Sequence, residues 1–117
     1  MDKLQPRMRV KIWLEHEDRL VFGPGCAMLL REIERSGSLS GAVRNLGMSY
    51  RAAWGHIKKV EENLGRSLVV KTGGNKSGYS LSAEGLRLLE AYEAWLHAVQ
   101  DHAFALADEL FPWPVRR

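Results

Sequence analysis

Several kinds of catalytic and metal-binding chemistry have little support in this chain of 117 residues. Its single cysteine, Cys26, excludes an intrachain disulfide, fits a reducing compartment and is expected to be a small buried apolar residue. The four histidines, His16, His56, His97 and His102, do not have metal-binding spacing. No nucleophile elbow, Ser/His/Asp order or pair of carboxylates stands out. We therefore expect no enzyme, no metal site and no cofactor.

Long apolar runs are also missing. The N-terminus has no stretch of signal-peptide type, and no segment approaches the length of a membrane span. We expect a soluble, cytoplasmic protein without a membrane partner. The length is that of one domain with a modest core, so residues 1–117 are predicted to form a single domain.

Residues 37–65 predict two short helices joined by a glycine turn. Ser38 and Ser49 each precede an apolar run and are typical helix N-caps. Gly47 lies between the runs, where a residue with positive φ ends a helix and turns the chain. In both runs the apolar residues recur every three or four positions, so each helix has one face to bury. The pattern predicts a helix-turn-helix over residues 38–64, which makes DNA the first partner to consider.

The outer face of the second helix has the composition of a groove-reading surface. Tyr50, Trp54 and Lys58 follow one another at four-residue intervals, with Arg51 beside them. These side chains present donors and flat apolar groups to a groove. The alternative is a solvated amphipathic helix whose exposed aromatic residues cover a neighbouring element.

Charge is unevenly distributed along the chain. Residues 38–76 hold seven Lys or Arg against two Asp or Glu, a net charge of +5. Residues 1–37 hold seven against six, and residues 77–117 hold three against six, which gives +1 and −3. Cations of the middle segment are expected to neutralise phosphates, a salt-sensitive contribution that is largely independent of sequence. They are Arg44, Arg51, Lys58, Lys59, Arg66, Lys71 and Lys76.

Residues 68–82 predict a β-hairpin with a long tip. A β-branched run, a Gly/Asn/Ser loop and a second short apolar alternation follow one another. A hairpin directly after a recognition helix is the wing of a winged helix-turn-helix. Lys71, Asn75 and Lys76 are predicted to reach a minor groove or the DNA backbone from it. Gly73-Gly74 also suggests a phosphate cradle, but no Gly-Lys-Ser/Thr opens a helix here.

The N-terminal third predicts a hairpin followed by a helix. Apolar residues alternate with polar ones from Met8 to Leu14, and a polar turn leads to a second apolar run at residues 20–22. This favours a β-hairpin over residues 7–23 with one buried face. Gly23-Pro-Gly25 then breaks the chain before a first helix, so that a three-helix core spans residues 25–65.

The C-terminal third predicts one long helix over residues 83–110, capped by Ser82. At 1.5 Å per residue it is roughly 40 Å long, against a radius of gyration of about 13 Å for a domain of this size. Its apolar seam should therefore extend past the core and form a homodimer interface, with two recognition helices about 34 Å apart. The alternative is that the seam folds back on the first helix. The seam comprises Leu89, Tyr92, Leu96, Val99, Ala103, Leu106 and Leu110.

Five segments together resemble the N-terminal DNA-binding domain of the molybdate-responsive ModE repressor family. They are Gly37-Ser-Leu-Ser, Gly47-Met-Ser-Tyr-Arg-Ala-Ala-Trp, Leu68-Val, Gly73-Gly and Leu81-Ser-Ala-Glu-Gly. That domain is related to the DNA-binding domain of LysR-type regulators, whose Glu-Glu-x-Leu-Gly pattern also ends the segment 38–65. The resemblance covers about residues 7–95, and molybdate-binding domains are not part of the chain. We therefore expect a standalone form that does not sense molybdate, whose DNA affinity stays unchanged in millimolar molybdate.

The predicted fold is mainly α with small β elements: a winged helix-turn-helix with an N-terminal hairpin and a long C-terminal dimerisation helix. The predicted function is sequence-specific binding of double-stranded DNA by a homodimeric transcriptional regulator, with the recognition helix in the major groove and the wing on the adjacent backbone or minor groove. Tyr50, Arg51 and Trp54 would read bases, while Ser38, Ser49 and Lys58 would position phosphates. The alternative function is a winged-helix module that binds a partner protein.

Overall fold

Eight helices and strands make up the fold in the computed structural model, which describes residues 3–72 and 78–117. Strands β1 (Leu14–His16) and β2 (Arg19–Phe22) precede helices α1 (Pro24–Ser36), α2 (Leu39–Leu46) and α3 (Tyr50–Leu64). Strands β3 (Val69–Lys71) and β4 (Tyr79–Leu81) and the long helix α4 (Ala83–Leu110) follow. The mainly α, winged helix-turn-helix class predicted from the sequence is confirmed.

The helix-turn-helix has the predicted caps and turn. Ser38 Oγ accepts the backbone N–H of Gly41, and Ser49 Oγ accepts that of Ala52, each at 3.0 Å. Gly47 ends α2 with φ of 66°, a left-handed conformation that glycine adopts without a steric penalty. A serine cap contributes about 1 kcal/mol relative to alanine, so local interactions fix both helix boundaries.

The core is built by one face of each helix and closed by the wing. Ile33 of α1, Leu39 of α2, Ile57 of α3, Leu68 before β3 and Leu89 of α4 are all fully buried. Burial of each large aliphatic side chain contributes about 1.5–3 kcal/mol. The first half of α4 therefore belongs to the same core as the helix-turn-helix and holds it in a fixed orientation.

The N-terminal hairpin is shorter and more exposed than predicted. Strands β1 and β2 pair around a two-residue turn at Glu17 and Asp18, whose φ angles of 50° and 63° suit a type I′ hairpin. The predicted N-terminal hairpin is therefore present, but its strands lie within residues 14–22 instead of spanning 7–23, and Leu14, which is 51% exposed, is not part of a buried face. Ile12, before β1, instead contacts α4, because its carbonyl accepts a hydrogen bond from the Tyr92 hydroxyl at 3.0 Å.

The predicted wing is present as two antiparallel strands. Val69 pairs with Leu81 and Lys71 pairs with Tyr79. Ser82 caps α4 through Gly85 N–H at 2.8 Å, and its own hydroxyl donates to the Ser67 carbonyl at 2.7 Å. The predicted wing-tip residues Asn75 and Lys76 lie outside the described residues.

Three further features are the single cysteine, the apolar character of the helices and the clustering of possible metal ligands. Cys26 is buried, as expected, and its burial, together with the nearby Glu61 carboxylate, raises the pKa of the thiol to about 12. Across residues 3–72 and 78–117, no helix combines the length and apolar character that a membrane span requires. The same residues contain no cluster of three or more His, Cys, Asp or Glu side chains suited to a metal ion.

Candidate nucleic-acid interface

The N-terminal end of α3 is the exposed end of the helix-turn-helix. Tyr50 is 42% exposed and Arg51 and Ala52 are exposed, whereas Ala53 and Ile57 hold the opposite face in the core. The Ser49 cap fixes this end of the helix because it satisfies one of the backbone donors of the first turn. The structure therefore presents Tyr50 and Arg51 on a rigid helix with their side chains towards solvent.

Trp54 connects α3 to the wing. Its ring centroid lies 4.5 Å from that of Tyr79 on β4 and 6.4 Å from that of Tyr50, to which it is nearly parallel. Trp54 is half-buried and packs against the core. Trp54 therefore covers a neighbouring element, the strand β4, which is the alternative to base reading for an aromatic residue on this face. Tyr50 is the more accessible ring of the pair.

Lys58 lies between an aromatic ring and a carboxylate. Its Nζ is 4.3 Å from the Trp54 ring centroid and 3.0 Å from Glu61 Oε1. The second carboxylate oxygen of Glu61 accepts the backbone N–H groups of Leu68 and Val69 at 2.7 and 3.2 Å. Glu61 therefore fixes both Lys58 and the first residues of the wing.

Sequence reasoning did not identify Glu61 as a site residue. The available signals were the Glu-Glu-x-Leu-Gly pattern, which begins at Glu61, and the presence of two acidic residues within an otherwise basic segment. Its hydrogen bonds cross from a helix to a later strand, which helical periodicity does not predict.

The predicted phosphate-contacting residues come from three elements. Ser38, at the start of α2, is half-buried and close to the wing, since a Cβ placed on Gly78 would be 3.9 Å from its own Cβ. Ser49 is exposed at the start of α3, and Lys71 is exposed on β3. Both serine hydroxyl oxygens accept cap hydrogen bonds, which leaves each hydroxyl hydrogen for an outside acceptor.

The positive charge of this region is partly neutralised within the chain. Arg44, Arg51, Lys59 and Lys71 are exposed cations. Lys58 pairs with Glu61, and Arg66 pairs with Glu84 at 3.1 Å. An exposed ion pair such as that of Arg66 contributes only about 0–1 kcal/mol, so a phosphate can replace the Glu84 carboxylate at modest cost.

The predicted dimer seam divides into a buried half and an exposed half. Leu89 and Tyr92 are buried in the chain's own core, so their assignment to a dimer interface was wrong. They pack inwards because α4 lies against α1, to which it is also tied by the ion pair of Arg31 and Glu93. Leu106 and Leu110 are 42% and 72% exposed, and the three seam residues between the two halves, Leu96, Val99 and Ala103, are half-buried.

Known proteins with similar sequences include transcriptional regulators and a molybdenum-pterin-binding protein. The chain is 32% identical over 106 residues to "Transcriptional regulator ModE" of Haemophilus influenzae, a match that covers 88% of this chain and 41% of that protein. It is 31% identical over 103 residues to "DNA-binding transcriptional dual regulator ModE" of Escherichia coli, with coverages of 86% and 39%. It is 38% identical over 68 residues to "Molybdenum-pterin-binding protein MopB" of Rhodobacter capsulatus, with coverages of 56% and 25%.

The chain spans about two fifths of the length of the two ModE proteins. A family model also matches about half of this chain. Residues 28–86, which run from α1 through the wing to the start of α4, match the model described as "Bacterial regulatory helix-turn-helix protein, lysR family". The chain therefore belongs to the lysR family of bacterial regulatory helix-turn-helix proteins.

Proposed function

We propose that the chain is the DNA-binding part of a transcriptional regulator and binds double-stranded DNA sequence-specifically. The observation that carries this proposal is the N-terminal end of α3, where Tyr50 and Arg51 are exposed next to the wing in the most basic segment of the chain. The names of the two ModE relatives, both called transcriptional regulators, support it. The N-terminal part of α3 enters the major groove, as the recognition helix of a helix-turn-helix does.

Arg51 and Tyr50 are proposed to make the base contacts. An exposed arginine on a rigid helix can form two parallel hydrogen bonds with the O6 and N7 atoms of guanine. Tyr50 offers a ring face and a hydroxyl group. Trp54 positions Tyr50 and the wing instead of inserting deeply, because it is half-buried against Tyr79.

The DNA backbone is proposed to be held from both sides of the groove. Ser38 and Ser49 donate their hydroxyl hydrogens to phosphates, and Lys58 exchanges the Glu61 carboxylate for a phosphate. Lys71 supplies a cation from the wing, and the tip residues Asn75 and Lys76 extend this contact. Phosphate contacts of this kind set the register of the protein on the duplex without reading its sequence.

A homodimer is proposed to form through the exposed half of the α4 seam. Leu106 and Leu110 are the most exposed apolar residues of this half. The variant Leu106→Glu/Leu110→Glu should sediment as a monomer at micromolar concentration while the wild type sediments as a dimer. The control is Ala98→Glu, which places the same side chain at an exposed α4 position outside the seam. A wild-type monomer at this concentration would contradict the dimer.

Salt dependence tests DNA binding against the alternative of a protein-interaction module. Binding to a duplex selected from a random pool should weaken by about a thousandfold between 50 and 200 mM salt if six or more phosphates are contacted. Arg51→Ala should remove the preference for the selected duplex over a random one. The absence of measurable DNA binding at 50 mM salt would contradict the proposed function.

A further inference from the structure

Residues 3–13, called here the N-terminal arm, have two chemically different faces. From Arg7 to Trp13 the odd-numbered residues are exposed and the even-numbered residues are half-buried. An alternation of period two is that of an extended chain, whose successive side chains point to opposite sides. The half-buried residues are Met8, Val10 and Ile12, and the exposed cations are Arg7, Arg9 and Lys11.

The C-terminal tail, residues 111–117, returns to this arm after α4 ends. Met8 N–H donates to the carbonyl of Arg116 at 2.7 Å, and Arg116 N–H donates to the carbonyl of Pro6 at 2.8 Å. Arg7 and Arg116 are therefore paired neighbours of a parallel bridge. Arg117 binds Asp101 of α4, which holds the tail against the helix.

Folding of the chain alone does not account for this concentration of positive charge. Residues 3–14 contain four Lys or Arg and no Asp or Glu, and the tail adds two arginines. Within residues 3–72 and 78–117, no carboxylate forms an ion pair with Arg7, Arg9, Lys11 or Arg116. Like charges placed directly opposite each other in a pair of strands are destabilising. A bound polyanion would remove this repulsion.

The spacing of the cations favours a regular polyanion. At about 3.3 Å per residue, the odd-numbered cations of an extended arm are roughly 6.6 Å apart. Arg7, Arg9 and Lys11 form a row, and Arg116 lies beside Arg7. A peripheral membrane segment would present an apolar face together with its cations, whereas Met8, Val10 and Ile12 of the arm are turned towards the rest of the chain. Trp13 is exposed on the cationic side, but its indole N–H donates to the Glu15 carboxylate at 2.7 Å, which places an acidic group at that end of the arm.

We propose that Arg7, Arg9, Lys11 and Arg116, called here the basic arm face, bind phosphates of the DNA backbone outside the site contacted by α3 and the wing. This inference rests on the proposed function. The arm joins α4 at Tyr92, the last buried residue of the helix, and the tail joins it further along at Asp101. The chain measures 63 Å along its longest axis. The proposed contact is with DNA that flanks the core site. Only a duplex that extends beyond that site reaches the basic arm face.

The experiment compares two charge-matched variants on two duplexes. Arg7→Gln/Arg9→Gln removes two charges from the basic arm face, and Arg19→Gln/Arg87→Gln removes two charges from exposed positions elsewhere. Both sets of side chains are exposed, so the variants should fold, which circular dichroism checks. Each is titrated with a selected core site of about 20 base pairs, which holds two half-sites one helical turn apart, and with the same site inside about 50 base pairs, roughly 170 Å at 3.4 Å per pair.

On the long duplex, the arm variant should reduce the steepness of the plot of log K against log salt by about 1.8 for each bound protomer, or 0.9 for each lost phosphate contact. On the short duplex it should behave as the wild type, and the control variant should behave as the wild type on both. An equal change on both duplexes, an equal change in the control, or no change on the long duplex would overturn the inference.

The fate of the proposed function is read separately in the same titrations. If the wild type binds DNA and Arg51→Ala loses discrimination between sites as expected, but the arm variant has no effect, only the inference about the arm is overturned. A wild type that binds neither duplex overturns both. Vesicles that contain phosphatidylserine, an anionic lipid of the cytoplasmic leaflet, are a further probe. Arm-dependent vesicle binding with unchanged binding to the long duplex would assign the surface to a membrane and overturn the inference.

Discussion

The carboxylate of Glu61 on α3 accepts the backbone N–H of Leu68, the residue before the wing, at 2.7 Å. The same oxygen accepts the N–H of Val69, and the side chain is only 11% exposed. One side chain of α3 thus fixes where the wing begins. The orientation of the wing relative to α3, and with it the shape of the proposed DNA-binding surface, depends on this contact.

Removal of the Glu61 carboxylate should destabilise the fold. Glu61→Ala leaves two part-buried N–H groups without their acceptor, and each unsatisfied group costs about 1–3 kcal/mol. Glu61→Gln retains an acceptor oxygen, although an uncharged one forms weaker hydrogen bonds, so the loss should be smaller. Urea unfolding measures both. If Gln were as destabilising as Ala, the loss of the acceptor would not be the cause.

Two glycines provide a matched test of the contact between α4 and the wing. A Cβ at Gly85 would lie 2.2 Å from the backbone oxygen of Leu68, so Gly85→Ala forces the backbone apart and should cost at least about 1–3 kcal/mol. At Gly55 the described residues place nothing within 4 Å of a Cβ. Gly55→Ala should stabilise α3 by about 0.5–1 kcal/mol. Thermal unfolding should give shifts of opposite sign, and two shifts of the same sign would contradict the packing described.

Arg51 and Lys71 should differ in the kind of DNA binding that they support. Arg51→Ala should reduce discrimination between the selected and random duplexes by about 1–3 kcal/mol. Lys71→Ala should weaken binding to both duplexes alike and reduce the salt slope by about 0.9. Fluorescence anisotropy on both duplexes measures these changes. Indistinguishable patterns in the two variants would refute the separation into base and phosphate contacts.

The ion pair between α1 and α4 should make stability depend on pH in acid. The hydrogen bond from the Arg31 guanidinium lowers the pKa of Glu93 below its usual value. Because the folded-state pKa is the lower one, the contribution is present above the unfolded-state pKa and is lost as pH falls through the folded-state pKa. Both side chains are about one third exposed, so the contribution is at most about 1 kcal/mol.

Urea unfolding between about pH 6 and pH 3, the range around a carboxyl pKa, tests this dependence. Glu93→Gln should flatten the decline in stability towards acid. Glu109→Gln, which removes an exposed carboxylate of the same helix, is the control. A decline that is unchanged in Glu93→Gln would show that other carboxyl groups dominate acid unfolding.

The predictions that were confirmed concern interactions between residues close in sequence. Ser38, Ser49 and Ser82 cap the three helices that follow them, and Gly47 turns the chain between α2 and α3. The bounds of α4 at residues 83 and 110 agree with the prediction. Caps, left-handed glycines and helical periodicity act within one or two turns, so a local sequence window contains the information that they require.

The predictions that failed concern what covers an apolar face. The alternation from Met8 to Leu14 indicates an extended segment with one apolar side, but it does not specify the partner. In the structure β2 pairs only with residues 14–16, while Ile12 is bonded to Tyr92 of α4 and Met8 to Arg116 of the tail. In the same way, the seam of α4 does not identify the surface against which it packs. Leu89 and Tyr92 are covered by the chain's own core.

Local chemistry along the chain set the order of the helices, their caps and the exposed Tyr50 and Arg51 at the start of α3. The tertiary structure decided which groups meet across long separations. It joined Glu61 to Leu68, and it brought Arg7 and Arg116 together from opposite ends of the chain. The net charges of +1 for residues 1–37 and −3 for residues 77–117 gave no sign of a basic surface at Arg7 and Arg116. Acidic residues of the same segments cancel these arginines in the sum, although those that the structure describes do not pair with them in space. Contacts between distant segments depend on how the whole core packs, and no local pattern encodes that packing.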